Sequence, residues 1–393
     1  MNKKVTFISI GIFILLFIAS VWVYLMLFGA PDDTGEVFAN LGFQPTTQPS
    51  TVIPPIVDSR PIADLVDTNG GQLNQLTTRP VAGFTTYQTS STSNPLVRYG
   101  QRGTGHLFDI NLVTGEEERV TITTIPEISE MIWGSDTDRV AILTQQNYST
   151  LLQVGTVANN GLQTITISSN ASNIEFIDDN TLAYTEEQNG TTVGYQYNLT
   201  SNMASEQFRF SFSEVDVWWQ ENPPYILTKP AANLPTFAYQ VEDDTVTRAL
   251  APRVGMRGFR GENYRVVLYP ENNTVTSLAI PVDGSRVESL PVAAIEEKCA
   301  FDRFLSDFLW CAIPKAGGEE DFLEDWYKGV VVSNDYLMLL DINAGSAELI
   351  ANPETLAGRP LDITHMDIDQ VGNNLFFLNK TDRTLWRFDL FAE

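Results

Sequence analysis

Histidine and cysteine are scarce in this chain of 393 residues, which contains two of each. No Gly-x-Ser-x-Gly elbow, His-Glu-x-x-His motif, Walker loop or Asp-x-Asp-x-Asp-Gly calcium loop occurs, which disfavours hydrolases of the serine or zinc type. His106 and His365 lie in predicted strands without obvious further metal ligands, so structural roles are favoured over a metal site. No metal and no cofactor is expected.

Basic residues are also few, since 24 Lys and Arg stand against 49 Asp and Glu and give a formal net charge of -25. Such a chain repels nucleic acid unless a local basic patch exists, and the basic residues are scattered along the sequence. No nucleic-acid partner is therefore expected. The acidic excess is interpreted as a solvated surface rather than as a site for ligands.

Charged residues are absent from residues 5–31, a run of 27 mostly apolar residues. A helix of this length exceeds the roughly 30 Å hydrocarbon core of a bilayer, which predicts a transmembrane signal-anchor. A cleaved signal peptide is the alternative, although its apolar region is usually about 7–15 residues and ends in a small-x-small site. Lys3 and Lys4 precede the run while Asp32 and Asp33 follow it, so residues 1–4 are expected in the cytoplasm and the remainder outside it.

Two regions follow the predicted anchor. Residues 32–71 are rich in Pro and Thr with little apolar periodicity, which predicts a stalk. Residues 72–393 contain short apolar segments separated by Gly, Asn, Asp and Ser, a pattern typical of an all-β domain. An apolar strand, a polar turn and a second apolar strand recur seven times in this domain, starting near residues 81, 131, 174, 215, 256, 298 and 364.

The repeat length predicts the architecture. Four strands in roughly 40–45 residues is the period of a β-propeller blade, so the chain is predicted to be a seven-bladed β-propeller. The interval before the last unit is longer and is explained by an insertion at about 315–335. The last unit shows only three strands, whereas an orphan strand at 72–77 precedes the first unit. Pairing this strand with the last blade closes the ring and leaves no open edge.

Several segments resemble those of known propellers. The repeat is similar to that of TolB-like and WD-repeat propellers, although the Gly-His and Trp-Asp signatures of true WD repeats are absent. The chain more narrowly resembles uncharacterised membrane-anchored propeller proteins of small-genome bacteria, through residues 80–83 (PVAG), 103–108 (GTGHLF), 123–126 (TTIP), 325–329 (DWYKG) and 376–380 (FFLNK). This resemblance implies a propeller in the cell envelope and implies no catalytic activity.

Cys299 and Cys311 lie in the first two predicted strands of the sixth unit, joined by a turn near Leu305. If the turn is symmetric, the two cysteines stand directly opposite each other. Opposed residues of a non-hydrogen-bonded pair have Cα atoms about 4.5 Å apart, which is within the range of a disulfide. A disulfide is preferred, with two buried free thiols as the alternative.

The insertion is the candidate interaction loop. It joins a second strand to a third, so it is expected on the face where the chain also enters each blade, which we name the top face. Aromatic and apolar residues of the kind that anchor interfaces stand beside acids that suit a basic partner. The alternative is a flap whose aromatic residues pack on its own blade. The candidate residues are Glu319, Glu320, Asp321, Phe322, Leu323, Glu324, Asp325, Trp326 and Tyr327.

Two functions of different kinds remain open. The preferred function is a non-enzymatic binding or scaffold module for a partner protein, an envelope polymer or a ligand. The alternative is an extracytoplasmic hydrolase or lyase of the glycosidase kind that uses carboxylates in the channel. Catalysis requires acids from several blades to converge in the channel. The paired acids Asp178-Asp179, Glu186-Glu187, Asp243-Asp244 and Glu319-Glu320 are instead predicted to lie in solvated turns.

Overall fold

Twenty-eight strands between Leu73 and Asp389 form seven four-stranded antiparallel sheets in the part of the chain that the structure describes. This computed structural model describes residues 72–391 apart from 90–92, 135–136, 147–148, 159–160, 232, 243–244, 273 and 317–321. The sheets are the blades of a seven-bladed β-propeller, as the repeat predicts. The predicted anchor at 5–31 and stalk at 32–71 lie outside the described residues. Within those residues, no helix has the length and apolar character needed to span a membrane.

The strands follow one another in sequence order within the first three blades. Blade 1 contains β2 (Val81–Tyr87), β3 (Leu96–Gln101), β4 (Leu107–Asn111) and β5 (Glu117–Arg119). Blade 2 contains β6 (Ile128–Trp133), β7 (Arg139–Gln146), β8 (Ser149–Ala158) and β9 (Gly161–Ser168). Blade 3 contains β10 (Ala171–Asp178), β11 (Thr181–Gln188), β12 (Thr191–Asn198) and β13 (Met203–Phe210).

The next three blades repeat this order. Blade 4 contains β14 (Val215–Trp218), β15 (Tyr225–Thr228), β16 (Pro235–Glu242) and β17 (Thr245–Val254). Blade 5 contains β18 (Arg257–Arg260), β19 (Tyr264–Glu271), β20 (Thr274–Pro281) and β21 (Glu288–Leu290). Blade 6 contains β22 (Cys299–Phe301), β23 (Phe308–Pro314), β24 (Asp335–Asp341) and β25 (Ser346–Ala351).

Blade 7 joins the two ends of the domain. It contains β26 (Ile363–Ile368), β27 (Asn374–Asn379), β28 (Leu385–Asp389) and, as its outer strand, β1 (Leu73–Gln75). β1 pairs antiparallel with β28, with Leu73 opposite Phe388. Backbone hydrogen bonds between the two segments therefore close the ring from opposite ends of the domain, in the arrangement that the orphan strand predicts.

Tight turns and apolar strands explain the local structure. Gly115 and Gly345 take positive φ values of 72° and 60° in the hairpins β4–β5 and β24–β25, a backbone conformation that glycine adopts without steric cost. Between blades 6 and 7, buried side chains such as Ile363 and Phe377 interlock with Trp310. Burial of each such side chain stabilises the fold by about 1.5–3 kcal/mol. Packing between neighbouring blades thus forms the core.

Among the residues that the structure describes, three short helices lie before and within the last two blades. A 3-10 helix (Glu296–Lys298) leads into β22, helix α1 (Phe322–Tyr327) lies between β23 and β24, and helix α2 (Pro353–Ala357) follows β25. The extra length before the last unit therefore comes from two segments. The sequence predicts the segment around α1 and does not predict α2.

Candidate functional site

A cavity of about 510 Å³ lies on the channel side of blades 3 to 6. Its walls are the first strands β10, β14 and β18 together with the 3-10 helix before β22, and Tyr327 of α1 reaches its edge. The described residues lining it include four carboxylates and two arginines: Glu175, Asp216, Glu296, Glu297, Arg257 and Arg260. Acids from three different blades therefore converge in one cavity.

Burial makes three of these carboxylates retain protons more strongly than usual. It raises the pKa of Glu175 in β10 and of Asp216 in β14. The pKa of Glu296 is raised well above its ordinary value, because protein surrounds its side chain on most sides and Glu297 places a negative charge beside it. Channel solvent still reaches the exposed Glu296 side chain. The cavity thus holds an accessible carboxyl group that binds a proton readily.

Tyr327 connects the insertion to this cluster. Its hydroxyl donates a hydrogen bond to Oε2 of Glu297 over 2.6 Å, and the guanidinium of Arg257 lies 3.8 Å from the centroid of its ring. Burial, followed by the charge of Glu297, raises the pKa of the Tyr327 hydroxyl well above its ordinary value. The hydroxyl therefore remains protonated at neutral pH and acts as a donor. Contact with Glu297 also places α1 on the top face, as the strand order predicts.

Arg260, the second arginine of the cavity, forms an ion pair with Glu221, a carboxylate outside the group that lines the cavity. Nε of Arg260 lies 2.9 Å from Oε1 of Glu221, which is 7% exposed and also bonds Arg265 at 2.6 Å. Glu175 accepts a hydrogen bond of 2.6 Å from Gln220. Among the described groups of the cavity, the carboxylates are therefore only partly compensated by positive charge.

Two apolar side chains of the predicted interaction loop are buried in the domain. Leu323 and Trp326 are 5% and 2% exposed and pack against Leu268 and Ile295 of the propeller. The indole nitrogen of Trp326 donates to both carboxylate oxygens of Asp362 at 3.0 Å. These two side chains are therefore part of the core and do not form an exposed anchor, because the apolar face of α1 is buried against the propeller. Binding of a partner by the rest of the loop stays a prediction.

The other candidate loop residues have separate roles. Phe322 and Tyr327 are half-buried beside the same cluster, Glu324 forms an ion pair with Lys328, and the Asp325 carbonyl accepts a backbone hydrogen bond from Val330 over 2.9 Å. Glu319, Glu320 and Asp321 lie outside the described residues. Of the candidate loop residues, Tyr327 lines the channel cavity.

The two cysteines stand opposite each other in β22 and β23, the register that the symmetric turn predicts. Their sulfur atoms are 2.05 Å apart and form a disulfide, with Cα atoms separated by 4.1 Å. Cys311 is fully buried and Cys299 is 8% exposed. The bond thus links the first two strands of blade 6, and Cys299 directly follows the 3-10 helix that forms part of the cavity wall.

The histidines are not brought into a shared site. Nε2 of His106 lies 3.1 Å from Oγ1 of Thr124, whereas Nδ1 of His365 lies 3.1 Å from Oγ1 of Thr364. Among residues that the structure describes, no group of three or more His, Cys, Asp or Glu side chains has the arrangement of a metal site.

Sequence reasoning missed the carboxylates that converge. Glu186 and Glu187 lie within β11 rather than in a turn, because the strand extends to Gln188. The adjacent acids that line the cavity are Glu296 and Glu297, which begin the 3-10 helix leading into β22, the first strand of blade 6. Because first strands face the channel, acids on the connections into first strands are the sequence feature that predicts such a site.

Comparisons with known proteins support the fold alone. No family model matches the chain, and no curated protein matches it. The β-propeller domain of the Trilobed protease from Pyrococcus furiosus is 12% identical with a TM-score of 0.52, covering 79% of this chain and 95% of that chain. Oligogalacturonate lyase from Vibrio parahaemolyticus is 11% identical with a TM-score of 0.50, covering 81% and 98%.

TolB from Acinetobacter baumannii is also similar, at 12% identity and a TM-score of 0.41, covering 77% of this chain and 78% of that chain. The seven four-stranded sheets confirm the propeller fold that the sequence resemblance implies, while the relation to membrane-anchored proteins of small-genome bacteria stays a prediction.

Proposed function

We propose that this chain is a membrane-anchored, extracytoplasmic binding module whose channel cavity holds a positively charged group of a partner protein or envelope polymer. The anchor is residues 5–31, and the distribution of Lys and acidic residues on its two sides supports an outward-facing propeller. The observation that carries the binding function is the convergence of Glu175, Asp216, Glu296 and Glu297 in one cavity.

The chemistry of the cavity favours an amine. An ammonium group has three hydrogen-bond donors and no acceptor, so several carboxylate oxygens around one position satisfy it. A ligand cation also compensates the acidic excess that Arg257 and the paired Arg260 leave in the cavity. The high overall negative charge of the chain attracts such a ligand from a distance. Added salt screens the charges and weakens this attraction.

Calorimetric titration with matched probes tests the proposal. A glucosamine oligomer represents a cationic polymer, and the fully N-acetylated oligomer of the same length removes its charge. A lysine-containing peptide and the same peptide with acetylated lysine form the protein-like pair. We expect binding of at least one amine probe, loss of that binding on acetylation, and weaker binding at higher salt. Equal binding of amine and acetylated probes, or no binding of either amine, contradicts the proposal.

A second candidate function is cleavage of a polysaccharide by acid/base catalysis. The observation that favours it is the raised pKa of Glu296 directly beside Glu297, since glycosidases use one protonated and one ionised carboxyl group. Incubation with a panel of polysaccharides and measurement of new reducing ends tests this function. Release that is lost in Glu296→Gln supports catalysis, whereas no release by the wild type contradicts it.

A further inference from the structure

A lysine and two aspartates lie together in the interior of the domain, away from solvent. Lys298 ends the 3-10 helix, Asp335 begins β24 and Asp362 stands just before β26. Lys298 and Asp335 are fully buried and Asp362 is 1% exposed. Nζ of Lys298 lies 2.7 Å from Oδ2 of Asp335 and 2.8 Å from Oδ1 of Asp362. An amine and a carboxyl group are thus held in contact where water does not compete.

More oxygen atoms surround Lys298 than an ammonium group satisfies. Besides the two aspartates, Oγ of Ser333 lies 2.8 Å and the carbonyl oxygen of Ile363 lies 2.9 Å from Nζ. An ammonium has three protons, and four acceptors compete for them. All three ammonium protons therefore have acceptors, and any shortage of hydrogen bonds falls on the oxygen atoms around them. Buried charges are costly to keep unless all their hydrogen bonds are made.

The two aspartates have different surroundings. Asp362 accepts hydrogen bonds from the Trp326 indole and from both the backbone and the hydroxyl of Ser333. Asp335 accepts from Ile363 N–H through Oδ2, while its Oδ1 is buried and has no hydrogen-bond partner among the described residues. Asp362 is thus arranged as a stable carboxylate, and Asp335 is not.

The acidities follow from these surroundings. Burial raises the pKa of Asp335 against the opposing charge of Lys298. The pKa of Asp362 is lowered although burial opposes this, because Lys298 and Ser333 stabilise its ionised form. When a proton moves from the Lys298 ammonium to a neighbouring acid, Asp335 is the favoured acceptor. That transfer produces a neutral amine next to a neutral carboxylic acid.

We propose that Lys298 and Asp335 condense into an intramolecular amide bond, with Asp362 as the carboxylate that transfers the proton. The Nζ lone pair attacks Cγ of Asp335 and forms the C–N bond. Asp362 accepts a proton from the attacking nitrogen and delivers it to the departing hydroxyl. The C–O bond breaks, one water molecule leaves, and Asp362 ends as the carboxylate it was. No oxidant, reductant or other reactant takes part.

The product removes the one oxygen that the ion pair leaves without a partner among the described residues, and Asp362 keeps its hydrogen bonds from Trp326 and Ser333. The partnerless Oδ1 is the oxygen that departs as water. Oδ2 becomes the amide oxygen and keeps the hydrogen bond from Ile363 N–H, and the single remaining N–H on Nζ donates to Asp362. One buried positive and one buried negative charge disappear. The cross-link ties the approach to β22 to the start of β24 and encloses β23 and α1, independently of what the channel binds.

Mass spectrometry of the intact, reduced full chain detects the bond directly. We expect the wild type to be lighter than its sequence by one water molecule, and a digest to contain a branched peptide joining Lys298 and Asp335. Lys298→Arg keeps the positive charge but lacks a nucleophilic amine, so its mass should match its sequence. Asp335→Asn should form the same amide with loss of ammonia and therefore reach the mass of the wild-type product.

A nicking experiment gives an independent readout. A protease site inserted between Gly317 and Gly318 divides the chain so that Cys299 and Cys311 both remain in the first fragment, and the disulfide cannot join the halves. After cleavage, reduction and boiling, the wild-type fragments should migrate as one species on a denaturing gel and the Lys298→Arg fragments as two. Separated wild-type fragments together with an unchanged wild-type mass show that the group is an ion pair and overturn the proposal.

Discussion

The hydroxyl of Tyr327 in the blade 6 insertion donates a hydrogen bond of 2.6 Å to Glu297 at the channel wall. This contact joins a segment that interrupts the repeat to the acids that define the candidate site. On its other side, α1 is held by the buried Leu323 and Trp326. The insertion therefore serves as part of the wall of the cavity, and its stability and the geometry of the site are coupled.

Trp326→Ala should destabilise the domain strongly. Its side chain is 2% exposed, packs in an apolar cluster and donates to Asp362. Truncation of a buried tryptophan typically costs about 3–5 kcal/mol. Urea unfolding measures the change, with Phe391→Ala, an aromatic residue that is 72% exposed, as the control. Equal stabilities of the two variants are incompatible with a core role for Trp326.

Deletion of residues 72–79 should open the ring. This deletion removes β1 and the fully buried Leu76, and leaves the edge of β28 without its partner. An unpaired edge strand promotes aggregation. Limited proteolysis and gel filtration should therefore show a protease-sensitive, associating protein, whereas a deletion of equal length within residues 32–71 should leave both results unchanged. Identical unfolding curves for the two deletions contradict closure by β1.

The disulfide between Cys299 and Cys311 should survive purification without reductant and should stabilise the domain modestly. The sequence separation is 12 residues, for which the loss of chain entropy corresponds to no more than about 3 kcal/mol. The hairpin β22–β23 already holds this loop, so Cys299→Ala with Cys311→Ala should cost less. Mass spectrometry before and after reduction should differ by two hydrogen atoms. Alkylation of both thiols without prior reduction rules out the bond.

The disulfide and the closure of the ring are both predicted from the sequence. Cys299 and Cys311 lie in one hairpin, so the symmetry of a local turn is sufficient to pair them. Ring closure follows from counting strands, because a blade with three visible strands needs the orphan strand at 72–77. Both inferences use only local pattern and the rule that sheet edges are covered.

The site needed information that a single sequence does not contain. Glu175, Asp216 and Glu296 belong to different blades, and their convergence depends on the radial packing of the first strands. The orientation of Trp326 depends on Asp362, 36 residues further along the chain. The aromatic residues of the insertion are visible in the sequence, but the burial of Trp326 depends on distant partners, namely Leu268 and Asp362.

The pH dependence of stability should report the proton held by Glu296. The pKa of Glu296 is raised in the folded protein, so its contribution to the free energy of unfolding is complete below about pH 4.3, the pKa of a Glu in the unfolded chain. That contribution is lost as the pH rises through the pKa of Glu296 in the folded protein. Glu296→Gln has no carboxyl group to titrate and does not lose stability in this way. The gain in Tm of Glu296→Gln over wild type should therefore grow from pH 4 to about pH 8.

The exposed Glu348 supplies the control for this prediction, since Glu348→Gln removes the same charge from the surface. Its Tm difference from wild type should change little over the same pH range. If the two substitutions show the same pH dependence, the effect of Glu296 is one of net charge, and its surroundings in the cavity contribute nothing.

Affinity for the amine probe after removal of the two adjacent channel acids tests the central claim most directly. Calorimetry compares wild type, Glu296→Gln with Glu297→Gln, and the control Glu348→Gln, all in the same buffer. We predict that the double variant weakens binding at least about tenfold, or about 1.4 kcal/mol, while the control binds like wild type. Unchanged affinity in the double variant contradicts the channel site.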